Sequence, residues 1–157
     1  MVPNLRGIEG RRWVSRIMAS IAVEVLSTDL DPALLRNLVN LDGCGSVISF
    51  VGHTRGEDDG IEVERLEFDA WEEKLSIVLR EISEIAAERF GVSSIVIAHR
   101  IGVVEPSEPI VCIHVGSPHR AEGFEACSWL ISELKAQAPL WKKEVRSDGE
   151  IWKSGLG

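Results

Sequence analysis

Basic side chains are gathered in three segments of a chain whose formal net charge is -8. The set comprises Arg55, His119, Arg120, Lys135, Lys142 and Lys143. Such a set would hold an anionic small substrate, because guanidinium and ammonium groups donate charge-assisted hydrogen bonds to phosphates and carboxylates. A lysine desolvated among other cations has a lowered pKa and is able to act as acid, base or nucleophile. The alternative interpretation of the same residues is an ordinary solvated basic face.

A helix is predicted between Ser117 and Pro139. Its apolar positions recur at steps of three and four, which indicates a face packed on a core; they are Phe124, Cys127, Ile131, Leu134 and Ala138. Ser117 is expected to be the N-cap and Pro118 the first helical residue, while Pro139 disfavours helix before it. His119 and Arg120 then lie in the first turn, where free backbone N–H groups bind anions.

The remaining elements are predicted from the periodicity of the apolar residues and from the turn and capping residues that bound each segment. Strands are expected over residues 21–26, 46–51, 63–68, 94–98 and 110–116, followed by a hairpin of 144–146 with 150–152 around Ser147-Asp148-Gly149. In the third strand, alternation would put Val63, Arg65 and Glu67 on one side and Glu64, Leu66 and Phe68 on the other.

Two further helices are expected. A short helix should begin at Asp31-Pro32 with Leu34, Leu35, Leu38 and Leu41 inward, and a long one should span 72–90 and end at Gly91. Strands and three main helices intermix with hairpins, which favours an α+β sandwich with a mixed or antiparallel sheet over a doubly wound parallel fold.

Composition excludes several function classes. The chain has 25 acidic against 17 basic residues, which argues against a general nucleic-acid binder. No apolar run approaches the roughly 20 residues that a membrane-spanning helix requires. The three cysteines form no C-x-x-C pair, which indicates a reducing compartment, and the cytoplasm is therefore expected.

The first residues differ from the rest of the chain. Residues 1–20 contain four arginines against Glu9 as the single acidic residue, without the apolar stretch of a secretory signal. We expect residues 1–20 to be a disordered basic leader, unless translation begins at Met18. Residues 21–157 are long enough to form a single domain with its own core.

Other chemistries have weaker support in the sequence. Cys112 and Cys127 lie in apolar segments and Cys44 lies between two glycines, so inert packing is favoured over a catalytic thiol. The four histidines have no spacing typical of a metal site. Gly43-x-Gly45 lacks the Lys-Ser/Thr ending of a phosphate-binding P-loop.

Four motifs in one order resemble the catalytic (large) subunit of molybdopterin synthase. They are VISFVGHTR (47–55), IAHRIG (97–102), SPHRAEGFEA (117–126) and LKAQAPLWKKE (134–144). The resemblance runs from about Ile21 to Trp152 and implies an α+β fold described as an α/β hammerhead with an added antiparallel part.

The resemblance implies a sulfurtransferase of molybdenum cofactor biosynthesis. Members convert cyclic pyranopterin monophosphate to molybdopterin, taking sulfur from a thiocarboxylate on the Gly-Gly tail of a small ubiquitin-like subunit. Their large subunits form a homodimer within a heterotetramer. No cofactor or metal is implied, and no catalytic cysteine is needed. No nucleic-acid or membrane partner is expected.

The same resemblance implies roles for individual residues. Lys135 and Lys142 match the catalytic lysines, with Lys135 expected in acid/base work on the pterin and Lys142 in anchoring the thiocarboxylate or a covalent intermediate. Arg55 and Arg120 are expected to hold the phosphate. The other residues implied in substrate binding are His53, Thr54, His119, Lys143 and Glu144. The family tail often supplies a further basic residue, which the ending Ser-Gly-Leu-Gly does not offer.

Two other functions are compatible with the sequence. One is a non-catalytic module that binds an anionic metabolite or a ubiquitin-like Gly-Gly tail, which would not need two protonatable lysines. The other is an unrelated phosphate-ester or acyl-transfer enzyme, which would need an activated Ser or Cys near His119. The sequence offers no such residue.

Overall fold

The computed structural model of the protein describes residues 18–154, and residues 1–17 of the predicted leader lie outside this range. The helices over these residues are α1 (Pro32–Arg36), α2 (Glu72–Phe90) and α3 (Arg120–Gln137). The strands are β1 (Ser20–Leu26), β2 (Ser46–His53), β3 (Glu57–Asp58), β4 (Ile61–Ala70), β5 (Ser94–Arg100), β6 (Gly102–Val104), β7 (Pro109–Ser117), β8 (Leu140–Arg146) and β9 (Gly149–Ser154).

The first sheet has four strands in the order β1-β5-β7-β2. β1 and β5 are parallel, and the other pairs are antiparallel. The inner strand β5 is buried along its whole length, as its apolar sequence predicts. Helices α2 and α3 cover one face, where Leu79 and Leu130 join Ile97 and Ile113 in the main core. None of the helices over residues 18–154 is long and apolar enough to cross a membrane.

The second sheet is antiparallel, with the order β3-β4-β8-β9 and with β6 also paired to β4. Its own small core contains Val63, Leu66, Phe68 and Val104. The predicted α+β class with a mixed sheet and three helices is therefore confirmed. The hairpin loop is one residue shorter than predicted, because Arg146 pairs with Gly149 across Ser147-Asp148.

The predicted start of α1 and both predicted ends of α2 are confirmed. Asp31 caps α1 by accepting a hydrogen bond from the Leu34 N–H at 3.0 Å, with Pro32 at the first position. α2 spans residues 72–90, and Gly91 ends it in the left-handed conformation at φ 66°.

The predicted inward face after Asp31 is wrong for three of its four leucines. Leu35 is buried, but Leu34, Leu38 and Leu41 are largely exposed. α1 has only five residues, so its helical period does not extend to Leu38 or Leu41. The core on this side of the first sheet is completed instead by Leu30 and Val39.

The predicted N-cap of α3 is also wrong. Ser117 is the last residue of β7 and pairs with Ser46, so the helix begins two residues later, with His119 as its N-cap. The strand pairing overrides the local capping preference of serine. Phe124, which was predicted to be inward, is 59% exposed, whereas Cys127 and Leu134 are buried as expected.

Alternation in β4 is broken by a bulge. The register with β8 shifts between Val63 and Arg65, so Glu64 is an extra residue on this strand. Val63 is consequently buried together with Leu66 and Phe68, and not on the side of Arg65 and Glu67 as simple alternation predicted. The bulge places three apolar side chains of β4 beside the cavity described next.

Candidate functional site

A cavity of about 400 Å³ lies between the two sheets, next to the C-terminal end of α3. Its apolar walls include Phe50, Val63, Leu66, Phe68, Ile110 and Val111. Its charged and polar lining includes His53, Arg55, Asp58, Lys135, Lys142, Glu144 and Lys153. Aromatic walls with several cations suit a flat ring that carries an anionic group.

The end of β2 supplies one side of the cavity. Thr54 is buried, and its hydroxyl donates to the Glu105 carbonyl at 2.7 Å. The Thr54 N–H also donates to the Glu108 carbonyl at 3.1 Å, so this residue fixes the loop to its neighbour. His53 is exposed, with Nδ1 2.9 Å from the Ser107 carbonyl oxygen. Arg55 follows this anchored pair, is exposed, and lines the cavity.

Helix α3 supplies Lys135 in its last turn. The neighbouring Leu134 is fully buried in the core, which fixes the helix against the first sheet. Lys135 itself is exposed at the mouth of the cavity and makes no ion pair within residues 18–154. A helix C-terminus favours a cation, and an unpaired ammonium group there is available to an anionic ligand.

Strand β8 supplies Lys142 and Glu144 on the cavity side. The Lys142 side chain is 15% exposed, and its Nζ lies 3.7 Å from Glu144 Oε1. Burial lowers the pKa of Lys142, and Glu144 opposes that shift. Glu144 is itself buried; burial opposes its ionisation, but hydrogen bonds from Lys153 and Arg146 hold its pKa below the usual range.

Lys143 lies on the other face of β8. Its Nζ is 2.6 Å from Glu67 Oε2, and the same group lies 5.6 Å from the centre of the Trp152 ring. The hydrogen bond to Glu67 raises the pKa of Lys143. Strand alternation accounts for this placement, because neighbours of Lys142 along the strand point to the opposite face. Lys143 is not among the residues lining the cavity.

His119 and Arg120 are also outside the cavity lining. They are exposed at the N-terminal end of α3. Lys135 lies fifteen residues after Arg120 along α3, a distance of about 22 Å at 1.5 Å per residue. Within one copy of the chain, the two ends of this helix do not serve the same cavity.

The sequence reasoning missed Lys153 and Asp58. Lys153 Nζ lies 2.7 Å from Asp58 Oδ2 and 2.9 Å from Glu144 Oε1. A hydrogen bond from Lys153 lowers the pKa of Asp58. The signal that would have found Lys153 is the hairpin register, since a two-residue turn at Ser147-Asp148 pairs Lys153 directly with Lys142.

His99 lines the cavity and is fully buried. Its Nδ1 lies 2.6 Å from the Arg100 carbonyl oxygen, so Nδ1 carries the proton and donates it. Nε2 has no hydrogen-bond partner among the described residues, and the ring packs edge-on against Phe68. Burial lowers the pKa of His99 to about 4, so this imidazole is neutral at physiological pH.

The cysteines are placed for packing. Burial raises the pKa of Cys112 to about 12 and that of Cys127 to about 11, so both remain thiols. Cys44 donates a hydrogen bond to the Asn40 carbonyl. Within residues 18–154, no group of three or more His, Cys, Asp or Glu side chains is placed to hold a metal ion.

Comparison with known proteins identifies relatives along most of the chain. Residues 25–137 match the family described as MoaE protein. The molybdopterin synthase catalytic subunit of Pyrococcus abyssi is 37% identical over 118 residues, which is 75% of this chain and 80% of that protein. The same description applies to a human protein, 35% identical over 151 residues, which is 96% of this chain and 78% of that protein.

Solved structures agree with the fold. The crystal structure of molybdopterin synthase from Staphylococcus aureus matches with a TM-score of 0.80 and 30% identity, covering 83% of this chain and 96% of that one. A protein–protein complex of subunits 1 and 2 of molybdopterin-converting factor from Helicobacter pylori matches with a TM-score of 0.70, 84% of this chain and 90% of that chain. At 23% identity, this second match supports the fold alone.

Proposed function

The chain belongs to the MoaE protein family of molybdopterin synthase catalytic subunits, and we propose that its cavity transfers sulfur to a pterin phosphate. The substrate is cyclic pyranopterin monophosphate, and the product is the dithiolene of molybdopterin. The sulfur donor is a thiocarboxylate at the Gly-Gly tail of a small ubiquitin-like subunit. The chain is thus an enzyme subunit of molybdenum cofactor biosynthesis.

The observation that carries this proposal is the cavity with Lys135 and Lys142 beside aromatic walls. Phe50 and Phe68 offer apolar surface to a flat pterin ring. Arg55 offers a guanidinium group to the phosphate, since planar guanidinium donors suit phosphate oxygens. The aromatic walls thus match the ring of the pterin substrate, Arg55 matches its phosphate, and the lysines match the anionic sulfur of the thiocarboxylate donor.

The two lysines receive different roles in this proposal. Lys135 is exposed at the mouth of the cavity and exchanges protons with the pterin as sulfur adds. Lys142 is more deeply enclosed, and its ammonium group anchors the thiocarboxylate or takes part in a covalent intermediate with the tail. Glu144 borders this second lysine at 3.7 Å.

The proposal includes a homodimer within a heterotetramer, with one small subunit at each end. Its support is the length of α3, because Arg120 and Lys135 are about 22 Å apart along one helix. His119 and Arg120 would contribute to substrate binding if a second copy brings the start of its own α3 to the cavity. Lys143, on the outer face of β8, would then contribute only indirectly, through Glu67.

We also infer that residues 21–157 act as one catalytic domain in the cytoplasm. The two sheets share the lining of one cavity, which supports a single functional unit. Cys44, Cys112 and Cys127 are free thiols, as is usual in a reducing compartment.

The test is reconstitution with the thiocarboxylated small subunit and the pterin precursor, read out as dithiolene product. Lys135→Ala should lower the rate at least roughly a hundredfold, the usual effect of losing an acid/base group. Its fold should persist, because the Lys135 side chain is exposed and unpaired within residues 18–154.

The matched control is Lys74→Ala, which removes an exposed lysine of α2 that lies against the Trp71 ring. This variant should keep the wild-type rate. Full activity of Lys135→Ala would overturn the role of that lysine. Tight binding of the small subunit without any product from the wild-type protein would favour the non-catalytic binding module instead.

A further inference from the structure

Lys153 and Lys142 both lie near the same carboxylate oxygen, Oε1 of Glu144. They are directly opposite each other in the β8–β9 hairpin, so their side chains extend from the same face of the sheet. Lys153 Nζ lies 2.9 Å from Glu144 Oε1, whereas Lys142 Nζ lies 3.7 Å from the same atom. Lys153 therefore holds the hydrogen-bonding position on this oxygen, and Lys142 is kept at a longer distance.

Glu144 cannot remain charged without close partners, because its side chain is only 6% exposed. Its second oxygen, Oε2, accepts a hydrogen bond from Arg146 at 2.8 Å. Arg146 also pairs with Asp58 at 2.6 Å, and Asp58 pairs with Lys153 at 2.7 Å. The two carboxylates and two cations form a closed ring of contacts whose formal charge is zero.

Lys142 is the fifth charged group at this position and the one without a short contact. Burial lowers the pKa of Lys142 most; Glu144 and Asp58 raise it, and Lys153 lowers it. The titratable and charged groups that face the cavity around it come from seven elements and loops: Glu144, Lys153, Asp58, Lys135, Arg55, His53 and His99. Five of these seven are cations or histidines, so Glu144 and Asp58 are the competing anions.

We propose that Lys153 is a positioning residue of the sulfur-transfer reaction: together with Asp58 and Arg146 it holds Glu144 in a charge-balanced cluster, so that the Lys142 ammonium group keeps only a long contact of 3.7 Å to this carboxylate and is available to the anionic sulfur donor. This inference rests on the function proposed above. It gives Lys153 an indirect role, through Glu144, and assigns the reacting contact to Lys142.

Removing the charge of Lys153 should bring Glu144 into closer contact with Lys142. In Lys153→Met the carboxylate loses a cation at 2.9 Å, and the remaining nearby ammonium group is that of Lys142. Lys142 should move onto Glu144, and this closer carboxylate should raise the pKa of Lys142. The Michaelis constant for the thiocarboxylated small subunit should rise roughly tenfold, the value of one hydrogen bond to a charged group, with a smaller effect on kcat.

Two measurements test the proposal on the full-length chain. The first is an NMR titration of the Lys142 side-chain nitrogen, which needs neither substrate nor partner. The second is the separation of kcat from KM in the reconstituted reaction. Lys153→Arg keeps the positive charge, so the pKa of Lys142 and the KM for the small subunit should both equal the wild-type values. Lys74→Met removes a lysine outside the cavity and should change neither the pKa of Lys142 nor KM.

An unchanged pKa of Lys142 in Lys153→Met, with an unchanged KM, would overturn the proposal. If the methionine variant is unstable, Lys153→Gln repeats the titration with a neutral side chain that still donates to Glu144. If the wild-type protein makes no dithiolene product, the proposed function fails, but the titration of Lys142 still decides the role of Lys153. The two failures are thus distinguishable.

Discussion

His99 shows, at the scale of one residue, how burial determines the protonation state of a side chain. The ring is fully buried with one nitrogen bonded to a backbone carbonyl and Nε2 unpartnered among the described residues. Protonation would bury a charge next to the Phe68 ring, and burial disfavours the charged form. The neutral form is therefore retained below the pH at which a free histidine takes up a proton.

This makes a prediction for stability against pH. The pKa of His99 falls from 6.5 to about 4 on folding, so the unfolded chain binds more protons than the folded chain between these values. The contribution of neutral His99 to the free energy of unfolding is therefore present above pH 6.5 and is lost as the pH falls. The loss amounts to about 2 kcal/mol between pH 7 and pH 5.

The measurement is urea denaturation of the wild type and of His99→Leu at both pH values. The variant should lose less free energy of unfolding between pH 7 and 5 than the wild type. Some slope should remain, because burial also lowers the pKa of His114. Equal slopes in the wild type and His99→Leu would refute the assignment.

At the scale of elements, the start of α3 is determined by strand pairing. Ser117 remains in β7, and its carbonyl accepts a hydrogen bond from the Gly45 N–H at 2.9 Å. The chain before β2 therefore packs closely against the segment that leads into the helix. A Cβ atom on Gly45 would lie 2.4 Å from the Pro118 carbonyl oxygen, which is backbone and has little freedom to move.

We predict that Gly45→Ala destabilises the protein by about 1–3 kcal/mol, the usual range for overpacking. The strain acts on the residues just before His119 and Arg120, so their position should shift as well. Urea denaturation measures the first effect, and amide chemical shifts at the start of α3 measure the second. Gly56→Ala is the matched control, since its Cβ would lie 3.8 Å from Pro106, an ordinary contact. A wild-type midpoint for Gly45→Ala would contradict the prediction.

At the scale of the whole molecule, the separation of the two ends of α3 has a consequence for assembly. If two copies share each active site, one supplies Lys135 and the other supplies Arg120. A chain with Arg120→Ala and a chain with Lys135→Ala would each be inactive alone. A mixed dimer would contain one cavity in which both residues are intact.

The prediction is that an equal mixture of the two variants, unfolded and refolded together, recovers roughly a quarter of the wild-type rate. Half of the dimers would be mixed, and each mixed dimer would have one complete cavity of two. Dithiolene production measures the recovery, and the separately refolded variants are the control. No recovery in a mixture whose dimers are shown to have exchanged would contradict a shared site.

Local patterns in the sequence were sufficient for several features. The apolar period and Gly91 predicted the bounds of α2, and Asp31-Pro32 predicted the start of α1, because capping and helix termination depend on neighbouring residues. The basic residues of the site were recognised by type, and Arg55 and the lysines 135 and 142 do line one cavity. The catalytic roles expected for Lys135 and Lys142 rest on the resemblance of the motifs and not on periodicity.

Tertiary structure alone decided which charged groups meet. The bulge at Glu64 and the two-residue hairpin turn set the register, and register determines that Lys142 and Lys153 face the cavity while Lys143 faces away. The length of α3 separates Arg120 from Lys135, although both belong to one basic segment of sequence. The physical reason is that propensity and capping act over a few residues, whereas strand pairing and packing join residues that are far apart in the chain.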